Sequence, residues 1–294
     1  MSPAARVSRG RARLRAILAG DRAVAMASVF DPLSARIADE LGCEAGLMGG
    51  SAVAQVLLAA PDITLLTLTE LAEQVARCTR VSGVPIVVDA DHGYGNALNA
   101  MRTIAELDRA GAAAVQIEDT VLPRPYGSGA GAVLHARDEA VAKVRAACEA
   151  RGDSDLLVFG RTGAAALGDV EEAIARFRAY EAAGVDALFL PGADDAAVLA
   201  RIAEATTKPI VVGGVRPALA DPGLLAARRV RLCSFGHQAP AAALQALWST
   251  MEALHRGTAP ADLPGLPAKA LVDRLLGTAE LASAAERHLG PGGG

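Results

Sequence analysis

The chain has 294 residues, 52% of them hydrophobic, so it can bury a large core and is not expected to be disordered. Its formal net charge at pH 7 is −4 and only 3% of its residues are aromatic. These values argue against nucleic acid and against an anionic membrane surface as partners.

The N-terminal segment MSPAARVSRGRARLRAILAG is basic and lacks an apolar stretch long enough for a signal peptide, so we expect an amphipathic surface helix there. The cysteines, Cys43, Cys78, Cys148 and Cys233, are too far apart in sequence for a CxxC zinc or redox motif. No apolar run approaches the ~18–20 residues of a membrane span. We therefore expect a cytoplasmic protein with reduced thiols.

Short, nearly unbroken apolar runs alternate with longer Ala- and Leu-rich helical patterns along most of the chain. The runs are residues 23–30, 45–50, 85–91, 114–120, 156–162, 187–192, 209–214 and 230–236. Unbroken runs are typical of parallel strands that are buried on both faces. Eight such strand–helix units predict a (β/α)8 TIM-type barrel. The alternative, an open doubly wound sheet, is disfavoured because FDPLSARIAD after the first run has no glycine-rich dinucleotide turn.

We expect one domain covering residues 1–294, because no linker divides the chain. An N-terminal helix precedes the barrel, and a helical segment at residues 263–289 follows the eighth unit. The closing GPGGG is expected to be a frayed tail.

The active site of such a barrel forms at the carboxyl ends of its strands. Polar residues and a glycine turn collect at these ends. They are Gly49, Gly50 and Ser51 after the second run, Asp89 and Asp91 at the third, Glu118 at the fourth, Arg161 at the fifth and His237 after the eighth.

Asp89, Asp91 and Glu118 place three carboxylates on adjacent strands, where they would repel one another unless a cation were present. Oxygen ligands without cysteine favour a hard ion such as Mg²⁺ or Mn²⁺. Asp89 and Asp91 are two residues apart, which predicts that they share one face of the strand. The alternative is that these acids serve as helix caps or loop ion pairs.

The remaining polar residues suit an anionic substrate. The fork of Arg161 can hold a carboxylate bidentately, although an internal ion pair with Glu118 or Asp89 is equally compatible with its position. The turn at Gly50 and Ser51 offers backbone amides that could cradle a carboxylate, or it is a simple turn. His237 begins the helix after the eighth strand and is predicted to face the barrel mouth.

The chain resembles the isocitrate lyase/phosphoenolpyruvate mutase superfamily. The resemblance is carried first by residues 88–120, VDADHGYGNALNAMRTIAELDRAGAAAVQIEDT. Three further stretches match the superfamily: SVFDPLSARIADELG (28–42), APDITLLTLTEL (60–71) and GRTGAAALGDVEEAIARFRAYEAAGVDALFLPG (160–192). The resemblance covers residues 24–248 and rests on the combined DADxGYGN, IED and RT pattern.

The resemblance implies a (β/α)8 barrel in which Mg²⁺ chelates an α-keto acid. Asp89, Asp91 and Glu118 match acids that hold the metal directly or through water, and Asp62 matches a further acid nearby. Ser51 and Arg161 match residues that bind the carboxylate end of the substrate. Tetramers that exchange the last helix between subunits are typical of this superfamily, and residues 263–289 would suit that exchange.

The loop VLPRPYGSGAGAVL (121–134) lacks the cysteine of the isocitrate and methylisocitrate lyases and the Lys/Asn gate of phosphonopyruvate-processing members. PRPYGSG and the FGH that ends at His237 look most like the oxaloacetate decarboxylase branch. That likeness implies Mg²⁺-dependent decarboxylation of oxaloacetate, or of a related 2-keto acid, to pyruvate. In that branch a histidine matching His237 faces the substrate.

The chain departs from that branch at Gly214, which stands where the branch has a tyrosine near the end of strand seven. The alternatives are a C–C lyase for 2-hydroxy di- or tricarboxylates, in which Tyr126 or His135 would supply acid–base chemistry, and a phosphonopyruvate-processing enzyme. A non-catalytic binding barrel is a third alternative, disfavoured by the retained carboxylates and Arg161.

Overall fold

The structure, a computed structural model, describes residues 3–127, 129, 131–192 and 194–290. Its strands are β1 (Val24–Ser28), β2 (Ala45–Met48), β3 (Ile86–Asp89), β4 (Ala114–Glu118), β5 (Leu157–Arg161), β6 (Ala187–Pro191), β7 (Ile210–Gly213) and β8 (Val230–Cys233). Each strand pairs in parallel with the next, and β8 pairs with β1 to close the barrel. Every strand lies within one of the eight apolar runs, so the predicted TIM-type barrel is confirmed.

Helices follow the strands around the barrel. The α-helices in the described residues are α1 (Pro3–Ala19), α2 (Pro32–Glu40), α3 (Gly50–Leu58), α4 (Leu68–Thr79), α5 (Ala97–Ala110), α6 (Arg137–Arg151), α7 (Val170–Ala183), α8 (Ala196–Ala205), α9 (Pro222–Ala227), α10 (Gln238–His255), α11 (Lys269–Leu276) and α12 (Thr278–Leu289).

Local sequence signals set the ends of several helices. Before α4, the Thr67 hydroxyl accepts from the Glu70 amide at 3.3 Å, and the Glu70 carboxylate accepts from the Thr67 amide at 2.9 Å. This reciprocal capping box satisfies two amides of the first turn. After α5, Gly111 has φ 90°, and a Cβ there would lie 2.9 Å from Val7. Glycine is therefore required for both the left-handed turn and the close approach.

Helix α1 is amphipathic, as predicted, but its apolar side does not lie on the surface. Leu14, Ile17 and Leu18 are at most 9% exposed and pack with inward-facing strand residues such as Val24 and Leu47 in one cluster. These contacts join α1 to the apolar interior of the barrel. The predicted amphipathic surface helix is therefore confirmed: its polar side is exposed, and its apolar side covers the open end of the barrel, which would otherwise expose apolar side chains.

The chain divides into two compact units, the first ending at Gln238 and the second beginning at Ala239. The first contains the barrel. The second contains most of α10 together with α11 and α12, so the segment predicted at residues 263–289 is helical from Lys269 onward, apart from Gly277, and is not helical at 263–268. Each helix that the structure describes is too short or too polar to traverse a lipid bilayer.

At the end of β4 the chain alternates, so that Glu118 and the next residue, Asp119, lie on opposite sides of the barrel wall. The Asp119 carboxylate is 1% exposed and pairs with Arg176 of α7 at 2.9 Å, and it also accepts from the Tyr180 hydroxyl at 2.9 Å. Arg176 donates in addition to the carbonyl of His135 at 2.8 Å, and the His135 amide donates to the Asp119 carbonyl. These bonds tie both ends of the β4–α6 loop to α7.

Replacing Arg176 with Met should destabilise the fold by about 3–5 kcal/mol, because it leaves the buried Asp119 carboxylate without its cation. Urea unfolding followed by circular dichroism measures the change. The matched control is Arg228→Met, which removes a more exposed partner of Glu204 and should cost less than about 1 kcal/mol. Equal losses in the two variants would contradict a stabilising role for the Asp119–Arg176 pair.

Candidate active site

Arg161, the last residue of β5, lies between two of the predicted carboxylates. Its Nη1 donates to Asp89 Oδ2 at 2.7 Å, and its Nε lies 2.8 Å from Glu118 Oε2. Neighbouring strands bring them together, because Glu118 pairs in register with Arg161 and Asp89 with the residue two before Glu118. The internal ion pairs considered for Arg161 are thus both formed.

These ion pairs keep the guanidinium charged. Burial by itself lowers the pKa of Arg161, but the charges of Asp89 and Glu118 outweigh it and hold that pKa above its ordinary value. The guanidinium also stacks on Phe189 of β6, with its central carbon 5.4 Å from the ring centroid. Asp89 accepts a hydrogen bond from Nη1, whereas the contact of Nε with Glu118 is an ion pair without hydrogen-bond geometry, and the Nη2 group can bind a ligand.

Asp91 reaches the site by a different route from the one predicted. Strand β3 ends at Asp89, and Asp91 has a left-handed backbone with φ 47°, so strand alternation does not apply to it. The expectation that Asp89 and Asp91 share a strand face is therefore wrong. The turn is closed by a bond from the Asp91 amide to Asp89 Oδ1 at 3.1 Å and by one from the Glu118 amide to the Asp91 carbonyl at 2.8 Å.

Among the described residues, Asp91 forms no ion pair, in contrast to Asp89 and Glu118. Burial, together with the charges of Asp89 and Glu118, raises the pKa of Asp91 to about 8. Burial also raises the pKa of Glu118, against the effect of Arg161. Asp91 is therefore the carboxylate in this cluster that lacks a cation.

Gly50 and Ser51 are the first two residues of α3. A Cβ on Gly50 would lie 3.6 Å from both carboxylate oxygens of Asp91, so this helix start is next to the carboxylate cluster. Gly49 caps α3 without a side-chain hydrogen bond, which leaves first-turn amides available to an anion. Ser51 is the second residue of the helix and is partly exposed.

His237 follows β8 and is half-buried, with its ring held between β1 and the turn before α3. Its Nδ1 lies 2.7 Å from the Ser28 hydroxyl at the end of β1. A Cβ at Gly49 would lie 2.5 Å from His237 Nε2, so only glycine admits the ring there. Burial lowers the pKa of His237, whereas the charges of Asp89 and Asp62 raise it, with a net decrease.

Two glycines lie at the tip of β7: Gly213 makes space for a neighbouring ring, and Gly214 faces open space. A Cβ on Gly213 would lie 2.7 Å from the ring of Phe189, the residue on which Arg161 stacks. Gly214 has φ 68°, a conformation that disfavours the tyrosine of the resembled branch, and a Cβ there would meet no atom within 4 Å. The departure at Gly214 thus leaves open space at this rim.

Asp62 lies on the turn between α3 and α4, on the same side as the cluster. Burial of the Asp62 carboxyl raises its pKa, as does the charge of Asp89, while Arg161 and His237 oppose the increase.

Tyr94 has φ 59° and a buried hydroxyl without a hydrogen-bond partner among the described residues. Burial and the charge of Asp91 raise the pKa of that hydroxyl.

In the part of the chain that the structure describes, no three Asp, Glu, His or Cys side chains are arranged to hold a metal ion directly. Asp89 and Glu118 are instead both in ion pairs with Arg161. The roles predicted for Asp89, Asp91 and Glu118 as metal ligands, for Asp62 beside them, and for Gly50, Ser51, Arg161 and His237 toward substrate stay predictions.

Sequence reasoning missed Ser28 and Phe189. Ser28 could have been found, because alternation from Val24 and Met26 points its side chain into the barrel at the strand end. Phe189 follows the same alternation on β6, but an apolar residue in an apolar run carries no signal of its contact with Arg161.

A family model described as phosphoenolpyruvate phosphomutase matches residues 14–255 of this chain. A protein of Paraburkholderia xenovorans (strain LB400) named oxaloacetate decarboxylase is 56% identical over 96% of this chain and 94% of the relative. Another so named, from Rhodopseudomonas palustris (strain BisB18), is 52% identical over 90% of this chain and 91% of the relative.

Solved structures agree with this assignment. A phosphoenolpyruvate phosphomutase from Streptomyces platensis subsp. rosaceus matches with a TM-score of 0.86 and 30% identity over 95% of this chain and 99% of that chain. An oxaloacetate acetylhydrolase bound to 3,3-difluorooxalacetate matches with a TM-score of 0.85 and 26% identity over 96% of this chain and 98% of that chain. The chain belongs to the phosphoenolpyruvate phosphomutase family, within the isocitrate lyase/phosphoenolpyruvate mutase superfamily.

Proposed function

We propose that this protein is a carbon–carbon lyase that decarboxylates oxaloacetate, or a closely related 2-keto acid, to pyruvate with the help of Mg²⁺ or Mn²⁺. The observation that carries the proposal is the contact of His237 with Ser28 at the end of β1 and with Gly49 before α3, in a chain that is 56% identical to a protein named oxaloacetate decarboxylase. A small dicarboxylate suits a site that offers cationic and amide donors.

The donors at the mouth fit a hard divalent cation. Asp91 is a buried carboxylate without a cationic partner among the described residues, and the raised pKa of Asp91 reports that its charge is uncompensated. We infer that Asp91 would hold the ion directly, and that Asp89 and Glu118, already paired with Arg161, would contribute through water. When bound, the ion would act as a Lewis acid that favours charge on the ketone oxygen as CO₂ leaves.

Two groups of this chain would orient the substrate. Arg161 is fixed by its ion pairs and by the ring of Phe189, so its free N–H groups can bind a carboxylate without large reorganisation. The backbone amides of Gly50 and Ser51 would donate hydrogen bonds to the same end of the substrate from the side of α3.

His237 would act on the carbon that loses CO₂. Breaking the C3–C4 bond leaves an electron pair as the pyruvate enolate, which needs a proton at C3. The Nε2 of His237 is the group we assign to orient the leaving carboxylate and then to orient the water molecule that supplies that proton. Decarboxylation does not require a thiol, and Cys78 and Cys148 are buried with their pKa values raised to about 12 and about 11.

We further propose a homo-oligomer, with a tetramer as the predicted state, and a cytoplasmic location. Support for oligomerisation comes from α10, on which Leu244, Leu247, Trp248 and Met251 are 54–65% exposed. Their spacing places them on one face of the helix. An exposed apolar face of this kind is typical of a protein–protein contact.

The proposed activity predicts pyruvate release from oxaloacetate that depends on Mg²⁺, measured after subtracting the uncatalysed Mg²⁺-driven background. Chelation should abolish the release. His237→Ala should lower it by about 10²-fold or more, because a positioned proton source typically contributes that much. Arg228→Met serves as the control, because that side chain pairs with Glu204 away from the mouth.

Absence of metal-dependent release, with Mg²⁺ binding intact, would contradict the proposed substrate. Larger 2-keto acids, alkylmalates and phosphonates would then be assayed as substrates. Full activity of His237→Ala would contradict the assignment of this side chain.

Asp91→Ala should abolish turnover and weaken Mg²⁺ binding. The isosteric Asp91→Asn should lower kcat by more than about 100-fold, which corresponds to about 2.7 kcal/mol. It should also raise the melting temperature of the metal-free protein, most strongly above the raised pKa of about 8, where the wild-type carboxylate is charged and uncompensated. Calorimetric titration with Mg²⁺ and thermal unfolding check both effects.

The matched control is Asp195→Asn, because Asn caps a helix as well as Asp does and Asp195 caps α8. Its Mg²⁺ affinity and melting temperature should match the wild type. Unchanged turnover in Asp91→Asn would overturn the metal-site assignment.

The exposed face of α10 predicts that Trp248→Glu shifts the assembly toward smaller species in light scattering after size exclusion. A charge on a buried apolar contact is destabilising because it loses its hydration. Gln245→Glu, on the same helix, is the control and should leave the mass unchanged. A wild-type monomer would contradict the oligomer.

A further inference from the structure

We propose that Ser28 is a positioning residue for His237: its hydroxyl donates a hydrogen bond to Nδ1 and so places the proton of the neutral imidazole on Nε2. This inference rests on the function proposed above, in which His237 Nε2 donates toward substrate. It assigns a role to a β1 residue 209 positions away from the histidine in sequence.

The geometry defines the contact closely. Ser28 is the last residue of β1, and its Oγ lies 2.7 Å from His237 Nδ1. Its backbone is held by the barrel, because Ser28 pairs in register with Leu47 of β2 and the next amide donates to the Leu47 carbonyl at 2.9 Å. The donor is therefore built on a rigid strand and not on a mobile loop.

The opposite side of the ring has no such partner among the described residues. Nε2 points to Gly49, where a Cβ would lie 2.5 Å away, and thus to the start of α3 that carries Gly50 and Ser51. The ring is fixed at one nitrogen and leaves the other free for a ligand at the mouth.

The chemistry of the mouth decides which nitrogen carries the proton. A keto dicarboxylate presents only acceptor oxygens, and the nearby charges of Asp89 and Asp62 are acceptors too. An Nε2 lone pair would face acceptors on every side, whereas an Nε2–H would be matched to them. Burial lowers the pKa of His237, so the ring is neutral and the proton must be on one nitrogen only. A serine hydroxyl that donates to Nδ1 selects the required tautomer.

The first test is a double-mutant cycle on oxaloacetate turnover at saturating Mg²⁺. Ser28→Ala should lower kcat about tenfold with little change in KM, the loss expected for one neutral hydrogen bond used in the chemical step. In a His237→Ala background the same change should have no further effect. Ser28→Thr keeps the hydroxyl and should recover most of the activity. Ser82→Ala, which removes the hydroxyl of a buried serine in the loop before β3, should match the wild type.

The second test does not depend on activity. In ¹⁵N NMR spectra of the histidine-labelled protein, the His237 ring should carry its proton on Nε2. Ser28→Ala should raise the pKa of His237, because donation to Nδ1 stabilises the neutral ring and its loss favours protonation. Thermal unfolding of each variant verifies that the fold is retained.

Each outcome decides the inference. A proton on Nδ1 in the wild type, or a fall of the His237 pKa in Ser28→Ala, would overturn it. Equal kinetic losses in the presence and absence of His237 would overturn it as well, because the role of Ser28 would then be independent of the ring. If the wild type lacks turnover with oxaloacetate, the proposed function fails, and the NMR test still decides the contact.

Discussion

The candidate active site depends on the placement of several carboxylates around one guanidinium. Asp89 and Glu118 are compensated by Arg161, whereas Asp91 is not, and Asp62 adds negative charge nearby. Burial of an uncompensated carboxylate is unfavourable, so a cation bound at the proposed site would stabilise the folded chain. The need for charge compensation and the proposed metal chemistry therefore have one physical origin.

Missing side chains shape the site as much as charged ones do. Gly49 admits the ring of His237, and Gly213 admits the ring of Phe189, on which Arg161 stacks. In each case a Cβ would come within 2.7 Å of the ring. A methyl group at either position would displace a ring, and with it the polar group that the ring carries or supports.

The end of β4 connects the site to the rest of the fold. Glu118 faces Arg161 inside the barrel, and Asp119, the next residue, pairs with Arg176 outside it. Glu118 thus contributes to the carboxylate cluster, and Asp119, through its bonds to His135 and Arg176, holds the base of the β4–α6 loop.

The sequence by itself determined the barrel, because eight unbroken apolar runs separated by helical patterns permit few other architectures. It also placed Asp89, Glu118, Arg161 and His237 at strand ends, since the carboxyl ends of parallel strands meet at one rim. Only the tertiary structure decided which partners these residues take. Three features depend on distances between elements of the closed barrel. They are the left-handed backbone at Asp91, the ion pairs of Arg161 with both carboxylates, and the contact of Ser28 with His237. Local sequence patterns report periodicity and burial, but they carry no information about such distances.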